Sequence, residues 1–274
     1  MRKTPDVKAL ASRTMEQVKA KTLAKVPKMQ LPRRRAREAR KSDAAAPRGP
    51  VVVLIHGLAA PRLIMWRIKW LLERKYGRRT INIPYNSMIH DIPTIAEQIA
   101  RRLAELNIRE FDAVTHSMGG VLLRWAMNNQ PMPRLRRAVL ITPPNQGVWI
   151  AEYLHSKLGA AAPVIWGQAM LQLRRGDLGL AAEAGRLSGS EIGVIAGGSG
   201  TPKGLRNWFG IPGDNDGIVA VEETIMPGMK DFILLRENHM SVILSAQTAH
   251  MANLFLEHGV FRPRIKGELP VLEH

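Results

Sequence analysis

The sequence predicts an α/β domain on a doubly wound, mostly parallel six-stranded sheet. Three observations carry this expectation. Short Val/Ile/Leu-rich runs recur from residue 50 onward, as in strands covered on both faces. Helix-period segments fall between them, which is how parallel neighbours are connected. The alternation fails only once, between residues 147 and 190, where helical stretches are broken by glycine and proline and read as an insertion above the sheet.

The expected strands are 51–55 (VVVLI), 79–83, 112–115, 137–142, 191–196 and 231–235. The expected helices are 62–75, 92–106 and 118–129, with 242–257 closing the domain. Residues 50–274 are thus read as one domain with a helical cap insertion at about 147–190 and apolar groups such as Trp149 and Trp166 within it. Residues 1–49 form a separate extension. Apolar residues make up 45% of the chain, enough for a full core, and no run approaches the roughly 20 apolar residues of a membrane span.

The net charge is +17, but it is unevenly placed: residues 1–48 hold 15 Lys and Arg against four acids. Within them, 7–26 place Val7, Leu10, Ala11, Met15, Val18, Leu23 and Val26 at near-helical spacing with lysines between, a basic amphipathic pattern. A solvated, partly helical or disordered tail is the first reading, and one drawn to an anionic membrane surface or an acidic partner the second. A proline-bounded charged run follows and reads as a linker. No nucleic-acid reader motif accompanies the charge, so nucleic acid is not the expected partner. The N-terminus lacks the apolar core of a secretory signal, and a cytoplasmic location, with membrane attachment only at the periphery, is expected. The chain has no cysteine, which excludes disulfides, thiolate metal sites and a cysteine nucleophile.

One segment asks for more than a connecting role. In FDAVTHSMGGVLLRWAMNN a strand runs into Thr-His-Ser-Met-Gly-Gly and directly into a helix. A serine hydroxyl becomes a useful nucleophile when a base takes its proton and the backbone holds it clear of its neighbours. A sharp strand–turn–helix does this, with Gly119 and Gly120 giving the helix room to approach. The helix start directs free N–H groups and a positive dipole end at Ser117, so the Met118 N–H is one candidate oxyanion donor. The pattern reads T-x-S-x-G, with Thr115 where the usual motif has glycine. VVVLIHGLAAP supplies the second candidate: a strand, a bend at His56-Gly57, and the Leu58 N–H.

An acid and a base are then expected downstream, in that order. GDNDGIVAVEE offers Asp214 and Asp216; Asp216, in an Asp-Gly turn before an apolar run, is the better placed, and Asp214 suits a loop-shaping role. DFILLRENHMSVILS puts His239 just past the last strand, on the same sheet edge as Ser117. Its imidazole suits proton transfer in both directions. His116 is expected to point away and orient the turn, His56 to brace the oxyanion loop, and Glu222 and Glu223 to lie at the surface or support the Asp216 turn.

With VLIHGLA, VTHSMGG, PPNQG, NDGIVAVEETIMPGM and NHMSVILS in place, the chain resembles the α/β-hydrolase superfamily over about residues 50–258, in its small esterase and lipase branch. It looks similar to bacterial lipase-like proteins of the GPI inositol-deacylase type. The resemblance implies a Ser117–Asp216–His239 triad, Leu58 and Met118 as backbone donors, no cofactor or metal, and hydrolysis of an apolar or lipid-like carboxylic ester. Acyl transfer to an alcohol or thiol would use the same triad. A membrane- or partner-binding module on a hydrolase fold is the non-catalytic alternative.

Overall fold

The computed structural model describes residues 49–176, 179–198 and 209–262. The basic extension and its amphipathic 7–26 pattern lie outside the described residues.

Six strands form one parallel sheet: β1 (Val51–Ile55), β2 (Thr80–Asn82), β3 (Glu110–His116), β4 (Arg134–Ile141), β5 (Glu191–Gly197) and β6 (Asp231–Leu235), in the order β2-β1-β3-β4-β5-β6. The chain leaves β1 for β2 on one side and returns to β3 on the other. The carboxyl ends of β1 and β3 therefore flank a reversal of strand order, the place where open α/β sheets bind ligands.

Alternation along β1 sorts two cores. Val51, Val53 and Ile55 face helix α2 (Ile92–Glu105) and helix α3 (Met118–Asn129). Val52 and Leu54 face α1 (Trp66–Arg74) and the C-terminal helix α8 (Ala246–His258). In α2, Ile92, Ile95, Ala96, Ile99 and Leu103 repeat at the 3.6-residue period and are all buried. The side chain of Asp91 caps this helix by accepting the Thr94 N–H at 2.9 Å. Between β4 and β5 lie α4 (Trp149–Leu158), a 3-10 turn at Gly159–Ala161, α5 (Ala162–Trp166) and α6 (Gln168–Leu171).

Four elements differ from expectation, the first being β3, which starts two residues early at Glu110. The first helix starts as a 3-10 turn, Arg62–Met65, before α1. β4 starts three residues early because Arg134, Arg136 and Arg137 pair with Glu110, Asp112 and Glu191 on the neighbouring strands. The closing helix is two: α7 (Ser241–Leu244) stops at Ser245, whose extended backbone and hydroxyl, accepting from the Gln247 N–H, make it the N-cap of α8. Among the described residues, no helix is long and apolar enough to cross a membrane.

Candidate active site

Ser117 follows the last residue of β3 and precedes the first residue of α3. Its backbone has φ 54° and ψ −128°, a region that non-glycine residues occupy only when the surroundings force it. Those surroundings are visible. The Ser117 N–H is bound to Ile141 O at 2.9 Å, and the Ser117 carbonyl accepts from Gly120 N. The Ser117 side chain does not cap its own helix, so the hydroxyl is left for another use.

Gly119 is what lets α3 sit this close. A Cβ there would overlap the Ile55 carbonyl oxygen and lie 2.7 Å from the His56 oxygen. Gly57 is equally constrained: a Cβ would stand 2.9 Å from Ser117 Cβ. At Gly120 the neighbours are side chains, Pro143 at 3.0 Å and Thr115 at 3.4 Å. Thr115 is fully buried, so the strand accommodates the branched residue without exposing it.

The Leu58 N–H, past β1, and the Met118 N–H, past β3, make no hydrogen bond among the described residues. The loop carrying Leu58 is held from outside. The Tyr85 hydroxyl donates to His56 O, the Tyr85 ring stacks on His56 at 3.9 Å and 8°, and the Ala59 N–H donates to Ser87 Oγ at 2.9 Å. Burial lowers the His56 pKa, which keeps the stacked ring neutral.

Asp216 and His239 are brought together. Asp216 Oδ2 lies 2.7 Å from His239 Nδ1, and the His239 N–H donates to Asp216 O at 2.9 Å. The other carboxylate oxygen accepts from the Ile218 and Val219 N–H groups at 2.9 and 2.8 Å. This side-chain turn fixes the carboxylate before the imidazole meets it. Asp214 shapes the same loop, accepting the Asn215 N–H on its side chain and the Val221 N–H on its carbonyl. No hydrogen bond joins Ser117 Oγ to the His239 ring in this structure.

His116 bridges the two halves. It points away from the turn, as expected, but what it orients is His239: its Nε2 donates to the His239 carbonyl at 3.0 Å, and the two rings lie 4.8 Å apart. Burial, then the charge of His239, hold its pKa well below the ordinary histidine value. The bond to a carbonyl oxygen requires a proton on Nε2 of His116.

Several supporting residues escaped the sequence reading. Thr142, at the end of β4, is buried with φ 44° and places Oγ1 3.3 Å from His239 Nδ1; a β-branched residue before Pro143-Pro144 is the signal that could have found it. Glu223 is 2% exposed, so of its two expected places, the surface and the support of the Asp216 turn, it takes the second. One of its oxygens accepts from the Ala220 N–H at 2.8 Å, bracing the Asp216 hairpin. The other accepts from the Trp149 N–H at 2.7 Å and from Arg175. PPNQG joins this frame: Asn145 Nδ2 donates to Thr224 O, and Asn145 accepts from the buried Arg124, whose pKa burial lowers to about 10. Among the described residues, no group of three His, Cys, Asp or Glu could hold a metal ion.

A strand–turn–helix elbow thus stands at the end of β3, and an Asp–His pair arrives from beyond β5 and β6. The fold is that of the α/β-hydrolases. The chain is similar to the mature lipase BlEst2 of Bacillus licheniformis, with 19% identity over 78% of this chain and 94% of that one and a TM-score of 0.58. It is similar to the carboxylesterase CesB of Bacillus subtilis, with 13% identity over 79% and 86% and a TM-score of 0.50. The phospholipase PlaB of Legionella pneumophila matches at 18% identity over 64% of this chain and 45% of its own length, with a TM-score of 0.50. No family model matches the sequence, and no curated protein does.

Proposed function

We propose that the protein is a serine hydrolase of carboxylic esters, with Ser117 as nucleophile, His239 as general base and acid, and Asp216 as the carboxylate that orients it. The observation that carries this reading is the Asp216–His239 pair, 2.7 Å between Oδ2 and Nδ1, on the same sheet edge as a serine in a strained elbow conformation.

In this mechanism, His239 takes the hydroxyl proton as Ser117 attacks the ester carbonyl, and Asp216 stabilises the imidazolium. The developing oxyanion is met by the Leu58 and Met118 N–H groups and the positive end of α3. Each donor contributes about 3 kcal/mol in the transition state. His239 returns the proton to the leaving alcohol, then activates water to release the acid and free Ser117.

An apolar acyl group is favoured by apolar side chains exposed near the segment that holds the Leu58 loop. Ser87 anchors the Leu58 loop through Ala59, and a Cβ on Gly167 would touch the 87–88 backbone. Next to this junction Ile89 is 70% and Val164 85% exposed, with Met88 and Ile165 beside them. Exposed side chains of this kind suit a greasy substrate. The lipase, carboxylesterase and phospholipase among the structural relatives agree in reaction class.

The test is Ser117→Ala, assayed on nitrophenyl esters of increasing acyl length and with a fluorophosphonate probe. Covalent labelling should vanish and turnover should fall on the order of 10³–10⁶-fold, with the thermal midpoint retained. A variant that still hydrolyses esters at the wild-type rate would remove Ser117 from the mechanism.

A further inference from the structure

The first helix carries an outward face that the proposed chemistry does not use. Met65, Ile68, Leu71 and Leu72 bury its inner side. Leu63, Trp66 and Trp70, at i, i+3 and i+7, point the other way and are 67%, 53% and 52% exposed. Both the 3-10 turn and α1 pack against α7, where Met240 and Leu244 are also exposed. Two half-exposed tryptophans on one helix face are costly in water and well suited to a water–lipid boundary, where an amphipathic ring is stable.

The charges around this face choose the occupant. Between residues 62 and 75 the chain has Arg62, Arg67, Lys69, Arg74 and Lys75 against a single acid, Glu73. Glu73 is taken by Lys69. Arg62, Arg67 and Arg74 have no carboxylate partner among the described residues. We propose that this face docks the protein on an anionic phospholipid surface, with Trp66, Trp70 and Leu63 entering the headgroup–acyl boundary and the flanking cations meeting lipid phosphates. Apolar insertion joined to cationic flanks is the composition of an interfacial helix.

The same charges disfavour the other occupants. The N-terminal segment is itself strongly basic, with 15 Lys and Arg against four acids in residues 1–48. A second copy related by twofold symmetry would set identical cation arrays against each other. The docking face is also independent of whether Ser117 is catalytic.

The experiment uses the full chain with vesicles of phosphatidylcholine, with and without phosphatidylglycerol, followed by sedimentation and by quenching of tryptophan fluorescence with brominated lipid. Wild type should bind the anionic vesicles and be quenched. Trp66→Ser/Trp70→Ser should lower partitioning roughly tenfold or more. Arg62→Glu/Arg74→Glu should reduce the preference for phosphatidylglycerol by roughly fivefold or more. Thermal midpoints check that both variants fold, and bromolipid quenching that wild type shows and the tryptophan variant loses assigns the contact to Trp66 and Trp70 among the six tryptophans of the chain. Equal partitioning of wild type and the tryptophan variant would overturn the proposal and assign any attachment to another part of the chain. Absence of wild-type binding would overturn it, as would a dimer that the tryptophan changes convert to monomer without affecting vesicle binding.

Discussion

Replacing Gly119 by alanine tests the architecture of the elbow. In an exposed helix the change would stabilise by about 1 kcal/mol, because alanine loses less backbone freedom. Here the new Cβ would overlap the Ile55 carbonyl oxygen and stand 2.7 Å from that of His56, against an ordinary carbon–oxygen contact of about 3.3 Å. Both obstacles are backbone, so no rotamer change relieves them. Helix α3 would have to retreat from β1 by on the order of 0.5–1 Å, which forfeits a quarter to a half of each dispersion contact across the gap. Met118, Val121, Leu122 and Leu123 are fully buried on that helix, so the loss is shared by many atoms. The expected net destabilisation is about 2–4 kcal/mol. For a domain of this size that lowers the melting midpoint by roughly 5–15 °C. Gly120→Ala is the matched control: its Cβ meets only side chains, at 3.0 and 3.4 Å, and should shift stability by no more than about 1 kcal/mol. Calorimetry of both variants decides. A Gly119→Ala protein that melts at or above the wild-type temperature would mean that α3 does not seat against the end of β1.

Two further outcomes follow from the site. Asp216→Asn retains an oxygen for the Ile218 and Val219 N–H groups but turns an amide toward His239 and selects the wrong tautomer. Ester turnover should fall about 10⁴-fold with little change in melting, and wild-type turnover would argue against an orienting role. Stability should also fall as pH drops below about 6.5. His116 and His56 have lowered pKa values in the folded state, so the unfolded chain takes up protons that the folded one refuses. Each histidine contributes a loss of up to about 1.4 kcal/mol per pH unit until its folded value is reached. Urea titrations between pH 5 and 7 measure this slope, and His116→Asn should flatten it; an unchanged slope would remove His116 as a source.

Much of this was legible in the primary structure because the signals were local. VVVLI is a buried strand by composition, and its bounds are those observed. Met118–Asn129 begins as a helix directly after the Ser117 elbow, as the two glycines imply. What stayed hidden depends on partners distant in the chain. The early start of β4 is masked by its arginines, whose carboxylates lie on other strands. Glu223 is legible as a support of the Asp216 turn, but not as the acceptor for Trp149 and Arg175, which lie far off in the chain. His116 reads as a turn residue because its acceptor, the His239 carbonyl, lies 123 positions away. Thr142 stands at a local signal, before Pro143-Pro144, but its positive φ runs against the preference of a β-branched residue and is set by tertiary contacts.

The carboxylate of Glu223 has a mechanical consequence. It moors the first turn of helix α4 through the Trp149 N–H and, through the Ala220 N–H, the hairpin that carries Asp216. A ligand bulky enough to lift α4 would pull on the same anchor that keeps the hairpin shut. Crowding above the sheet would then be felt at the aspartate below it, without any contact between the two.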